Sequence, residues 1–272
     1  MKSLSIRVAI VLMSMWLLFA GLLTTILIAT GSVLLVGLVG VVASIVVYTS
    51  QSITHRAVGA EEATPDEYPE LHNRVGRLAH QTELPQPDIA VVDTTAPNAF
   101  VTGWGHDYAT LTVTRGLLNT LDGDELDAVL AHELAHIRNN DLAVMMLGTT
   151  IATIAYSIVR WGWLANDNGD QYWVVVLVMS LVTWIGTYLL MRLLSRYREY
   201  LADDAATSLT GNPHALASAL RRIDNAVDDI PDDDLRQVAS TNSMNFYEVE
   251  TMASHLVRTH PPTEERIERI QS

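Results

Sequence analysis

Apolar residues fill two stretches of the chain almost without interruption, and polar positions return between and after them. From Val8 to Thr54 no residue carries a formal charge. About 20 residues cross the hydrocarbon core of a bilayer, so this run is long enough for two crossings. Thr30-Gly31-Ser32 divides it into 8–29 and 33–50, a tight helical hairpin. A cleavable leader is the competing reading of the first half. It is disfavoured because a second apolar run follows at once, without a convincing small-residue cleavage site. A second pair comprises 142–163, whose one charge is Arg160, and 171–191, which has none. Apolarity on every side over about 20 residues favours lipid over a protein core; shallow insertion is the alternative.

The polar segments follow other periods. Pro65-Asp66-Glu67 opens a helix to Thr82, with Leu71, Val75 and Leu78 at helical spacing, and Pro85 and Pro87 close it. Ile89–Val92 reads as a short buried strand. The runs 98–102 and 109–114 are β-rich, joined by the hairpin-like Gly103-Trp104-Gly105-His106-Asp107. Asp122 or Asp124 caps a helix that reaches toward Asn140. Further helices begin near Glu199, His214 and Thr263, with a solvated acidic loop at 228–234. The expected fold is mainly α with a small β-sheet: four transmembrane helices in two pairs plus a zincin-like metallopeptidase domain. The segments are 1–54 (first membrane hairpin), 55–141 (first part of the catalytic domain), 142–194 (second membrane pair) and 195–272 (its second part).

Basic residues orient these segments. Lys2 and Arg7 flank the start, Arg56 follows the first pair, and Arg192, Arg196 and Arg198 follow the second. Between the third and fourth spans lie Asp167 and Asp170, while Arg160 is close enough to snorkel. The excess of positive charge on cytoplasmic loops then places both termini and both polar segments in the cytoplasm, at the cell (plasma) membrane.

Composition sharpens the picture. The chain is 49% hydrophobic yet carries a net charge of −14, a contradiction that dissolves once apolar and acidic residues occupy different segments. Sixteen of its 17 basic residues are arginine. With the Asp-rich surface, that bias resembles proteins of salt-adapted cytoplasm, where salt screens self-repulsion; an ordinary acidic protein is the alternative. No basic patch exists to neutralise phosphates, so nucleic acid is not an expected partner. There is no cysteine, so any metal must be held by histidine and carboxylate.

His132-Glu133-Leu134-Ala135-His136 supplies that chemistry. Residues four apart share a helix face, so His132 and His136 can address one ion. Glu133 can reach the ion's open side as general base. Zinc suits three protein ligands with a fourth position left open. Such a motif also occurs by chance on solvated helices. Glu199 is the leading third ligand, although an ion pair with Arg196 would serve the same residue. Asp203, one turn on, could orient a ligating imidazole.

Several motifs together resemble the HtpX-like heat-shock proteases, relatives of the CAAX prenyl proteases among gluzincin-type membrane metallopeptidases. They are Pro97–Gly103, His132–His136 followed by Asn140-Asp141, Arg198-Glu199-Tyr200 with Ala202-Asp203, and Thr259–Ile267. The resemblance covers nearly the whole chain. It implies one Zn2+ per chain held by His132, His136 and Glu199, with Glu133 as base and Asp203 supporting a ligand. It also implies that Asn98, Ala99 and Phe100 bind substrate backbone and that His260 helps stabilise the oxyanion. Asn98 could instead shape a turn after Pro97, and His260 could cap the terminal helix. His106 reads as a solvated loop residue.

His136 precedes the third span by six residues, roughly 9 Å of helix, and Glu199 follows the fourth by eight, roughly 12 Å. If those helices continue into the spans, both ligand arms are expected at the inner face of the bilayer. The expected partners are lipid and protein or peptide substrates, chiefly misfolded membrane proteins bound as an added strand. A CAAX-type processing enzyme would carry the same metal chemistry.

Overall fold

The computed structural model describes residues 2–162, 171–228 and 262–271. His260, the 163–170 connection and most of the acidic run 228–234 lie outside the described residues. In chain order the elements are α1 (Lys2–Thr30), α2 (Val33–Val58), β1 (Glu61–Glu62), α3 (Pro69–Gln81), β2 (Asp88–Val92), β3 (Ala99–Trp104) and β4 (Tyr108–Thr114). They continue with α4 (Arg115–Thr120), α5 (Gly123–Arg138), α6 (Asp141–Trp161), α7 (Gln171–Thr210), α8 (Pro213–Asp228) and α9 (Thr263–Gln271). These form two compact units, Met1–Ser50 with Val144–Leu194, and Gln51–Ala143 with Ser195–Ser272.

Among the described residues, the regular elements of the first unit are all helices. Ala9–Thr30, Asp141–Trp161 and Tyr172–Thr210 are long and apolar enough to cross a membrane; the described apolar part of α2, Val33–Ile45, is shorter. Three of the four expected spans therefore meet that length. Their contacts use small residues, as close packing between helices in lipid requires. A Cβ on Gly148 would lie 2.1 Å from Met191 Sδ, and one on Gly186 would lie 2.9 Å from Leu18 Cδ1. Thr183 Oγ1 donates to the Leu18 carbonyl at 3.3 Å. Leu22, Ile26, Ala155 and Val176 are buried between the helices, whereas Leu17, Ile28 and Leu34 face outward. Large apolar side chains with no protein cover suit a lipid environment.

In the second unit the strands run in the order β1-β2-β4-β3, with β2 and β4 parallel and the other pairs antiparallel. Ile89, Val91, Val101, Leu111 and Val113 form one sheet face and pack with residues of α3 and α5, among them Leu71, Val75, Leu130 and Leu134. β3 is an edge strand: among the described residues it pairs with β4 alone.

Local boundaries differ from the sequence reading in instructive ways. The first polar helix starts at Pro69, because Glu67 and Tyr68 donate back to the Thr64 carbonyl in a turn and Pro69 occupies the first helical turn. A helix at 115–120 was not expected; the Thr114 hydroxyl caps it by accepting from Leu117 N. Asp122 rather than Asp124 caps α5, in a reciprocal box with Glu125. That helix stops at Arg138, and Asn140, with φ of +56°, turns the chain into α6. Hydropathy marks a span at 171–191 and a helix carrying Glu199, with their continuity left open; the backbone joins them in one helix of 40 residues, α7. No glycine or proline interrupts it between Thr187 and Thr210, so polarity changes where the helix does not.

Candidate metal centre

His132 and His136 stand one turn apart on α5 and are both buried. Their rings are perpendicular, with centroids 4.8 Å apart, and their Nε2 atoms converge to 3.2 Å. The polar half of α7 brings Glu199 to the same point. Its Oε2 is 3.5 Å from His132 Nε2 and its Oε1 is 3.6 Å from His136 Nε2. Two donors bound to zinc at about 2.0–2.1 Å and a tetrahedral angle stand about 3.3–3.4 Å apart. The histidine pair is close to that spacing, and the two Glu199 oxygens face one imidazole each, so that one ligand atom from each of the three residues lies within 4.8 Å of the others.

The outer nitrogens are held as well. His132 Nδ1 is 3.0 Å from Asp203 Oδ1, and His136 Nδ1 is 2.7 Å from Asp141 Oδ2. An imidazole that donates Nδ1–H to a carboxylate keeps the Nε2 lone pair for a metal. Each carboxylate has its own arginine. Arg266 grips Asp203 with two bonds, Nε to Oδ2 at 2.9 Å and Nη2 to Oδ1 at 2.6 Å. Arg198 Nε lies 3.2 Å from Asp141 Oδ2. Two parallel chains result, His132–Asp203–Arg266 and His136–Asp141–Arg198.

Charge supports the same fit. Glu133, Asp141, Glu199 and Asp203 are all buried, against two guanidiniums, Arg198 and Arg266. Among the described residues this leaves an excess of two negative charges, which one divalent cation would offset, and buried carboxylates left unbalanced are costly. Without a cation a proton fills part of the gap. Burial would lower the His132 pKa, but hydrogen bonds to Asp203 and Glu199 outweigh it and hold the ring at about 9. The residues present therefore fit zinc.

Glu133 follows His132 on α5 and is buried close enough to the centre to raise the Arg266 pKa. Asn98 is clamped through its backbone: its N–H donates to Thr114 Oγ1 at 2.8 Å and its carbonyl accepts from Thr114 N at 2.9 Å. Ala99 and Phe100 lead from it into the edge strand β3 and are half-buried. His106 lies apart from the donor cluster, with Nε2 3.3 Å from the Arg138 carbonyl at the end of α5. Sequence reasoning assigned no role in the site to Asp141, Arg198, Arg266 or Thr114. The first three stood inside quoted motifs, yet spacing alone does not pair residues that are far apart in the chain.

Comparison with known proteins bears on this geometry. A family model described as Peptidase family M48 matches residues 65–272. The chain is 36% identical over 252 residues to "Protease HtpX homolog 2" of Methanosarcina mazei, covering 89% of this chain and 85% of that protein. It is 40% identical over 232 residues to "Protease HtpX homolog" of Moorella thermoacetica, covering 81% and 77%. It is 36% identical to "Protease HtpX homolog 1" of Streptomyces coelicolor, covering 99% and 92%. Among solved structures, the crystal structure of S. mikatae Ste24p aligns with a TM-score of 0.58 at 22% identity. That alignment spans all of this chain and 65% of the other, a likeness of fold.

Proposed function

Because the chain belongs to peptidase family M48 and is a membrane-bound zinc metallopeptidase related to the HtpX proteases, we propose that His132, His136 and Glu199 hold the zinc and that Glu133 is the general base. The observation that carries this reading is the convergence of three buried residues, each with a ligand atom within 4.8 Å of the other two. Zinc, when bound, supplies Lewis acidity that polarises a peptide carbonyl and eases deprotonation of water. Glu133 takes the proton of the attacking water and delivers it to the leaving amine. Asp203 and Asp141 keep the two imidazoles in one tautomer and one orientation. His260 is proposed to stabilise the oxyanion.

The substrate is proposed to lie extended along β3, adding a strand at the open edge beside Ala99 and Phe100. In the β3–β4 pair the hydrogen-bonded positions include Asn98 opposite Thr114. Alternation then directs the N–H and C=O groups of Ala99 and Val101 to the open edge. Backbone-borne affinity implies loose sequence selectivity, as the removal of misfolded or damaged membrane proteins requires. The proposed location is the plasma membrane, crossed four times, with the catalytic unit in the cytoplasm.

The test is purification in detergent with metal analysis, followed by cleavage of casein and of a misfolded membrane protein by wild type and Glu133→Gln. Retained zinc with lost cleavage is expected; full activity in Glu133→Gln would refute the assignment. Cleavage of cytosolic but not membrane-embedded misfolded substrates would refute the quality-control role, and cleavage confined to prenylated peptides would replace it with processing.

A further inference from the structure

Arg266 is the one described member of the metal centre that comes from α9, the nine-residue helix Thr263–Gln271. An isolated helix of that length is not stable in water, and only Arg266 and Ile267 are buried on it. The other α9 contacts on α7 lie at the surface: Arg269 Nη2 to Asp204 Oδ2 at 2.7 Å, Arg269 over the Tyr200 ring at 4.7 Å, and Tyr200 to Glu265. The buried fork on Asp203 is therefore the principal polar anchor of the helix.

The same fork serves the metal centre. Nε and Nη2 occupy both oxygens of Asp203, so that carboxylate cannot rotate away from His132 Nδ1. The remaining nitrogen, Nη1, faces Glu199 Oε2 at 3.6 Å. One guanidinium thus fixes the orientation of one imidazole and balances the charge of a carboxylate ligand. A lysine offers a single point of charge and cannot reproduce this geometry.

We propose that Arg266 is a positioning residue of the zinc site, and that through it zinc affinity and docking of the C-terminal helix are linked. The inference rests on His132, His136 and Glu199 being the ligands. Linkage is reciprocal: zinc that favours the ordered Asp203–His132 pair also favours docked α9, and loss of α9 loosens the metal.

The experiment uses the full-length protein in detergent. Zinc affinity is measured by competition with a chromophoric chelator for wild type, Arg266→Gln, Arg266→Lys and Arg269→Gln. Loss of a residue supporting a metal ligand typically weakens affinity about 10- to 100-fold. That loss is expected for Arg266→Gln, with little recovery in Arg266→Lys and no change in Arg269→Gln, which removes only a surface contact. Wild-type affinity in Arg266→Gln overturns the proposal. Hydrogen exchange on the wild-type protein decides the case even if Arg266→Gln fails to fold. Chelation of zinc should raise amide exchange in 263–271 well before the β2–β4 core, and unchanged exchange there overturns the linkage. Glu199→Ala separates the two levels: undiminished zinc affinity in that variant refutes the ligand set, whereas its loss beside an unaffected Arg266→Gln refutes only the positioning role.

Discussion

His136 Nδ1 lies 2.7 Å from Asp141 Oδ2 although a helix break separates the two residues. Asn140, with its positive φ, interrupts the helical course between α5 and α6, and Asp141, the first residue of α6, meets the imidazole across that break. Arg198 then approaches the same oxygen from α7, at 3.2 Å. The start of an apolar helix is in this way tied to the ring of a candidate metal ligand. Asp141→Asn keeps the size of the side chain but removes its charge, and is expected to weaken zinc binding about 10- to 100-fold. Chelator competition measures it, and wild-type affinity would show that the contact is only structural.

Asp203 and Glu199 hold His132 protonated to about pH 9 in the absence of a cation, against a usual 6.5. A folded-state pKa raised in this way stabilises the metal-free protein fully below 6.5, and the contribution fades as pH rises through 9. Zinc competes with that proton, so its apparent affinity should run the opposite way. It is expected to rise roughly tenfold per unit between about pH 7 and about pH 9, then level off. Zinc titrations at several pH values with proton release followed in parallel check this, and a flat profile would contradict it.

Glu125 is buried at the N-terminus of α5, where it accepts from Asp122 N at 3.1 Å, from Ser218 at 2.6 Å and from Arg222. Arg222 is partly exposed, which discounts the ion pair itself. Glu125→Ala removes the capping box and leaves those donors without their acceptor, at an expected cost of about 1–3 kcal/mol. Differential scanning calorimetry should show a lower Tm, while Arg222→Ala should lower it less.

Thr114 is buried and joins three features. It caps α4, donates to the Ala96 carbonyl at 2.7 Å and accepts from Asn98 N at 2.8 Å. Thr114→Val preserves shape and removes all three bonds. A loss of about 1–2 kcal/mol is expected, with a higher KM because the entry to β3 is no longer held. Denaturant melts and peptide kinetics test the two parts separately.

Ala99→Pro probes strand addition. An edge strand tolerates proline where its N–H faces outward, so Tm should change little. A substrate that pairs with this position loses one hydrogen bond, worth about 1 kcal/mol, and KM should rise about fivefold with kcat nearly kept. An unchanged KM would place the substrate elsewhere.

Much of this protein was legible before folding because the governing interactions are local. Uncharged runs mark helices suited to lipid, Asp122 with Glu125 marks a helix start, and four-residue spacing alone sets His132 and His136 on one face. Such features depend on neighbours within a turn or on solvent. Glu199 was different, since its sequence allowed a ligand or a partner for Arg196, and only the path of α7 turns it toward two imidazoles on α5. The same holds for β3, whose residues read as a strand but whose place at the sheet edge follows from the parallel pairing of β2 with β4. Arg266 lies 63 residues after Asp203 and 134 after His132, and no periodicity spans such separations. Sequence by itself determined the long apolar helices and the helix that sets His132 and His136 on one face, because hydropathy and helical geometry act over a few residues. Tertiary structure decided the third donor's direction, the two carboxylate–arginine chains and the open strand edge, because burying charge requires partners that only the folded chain brings together.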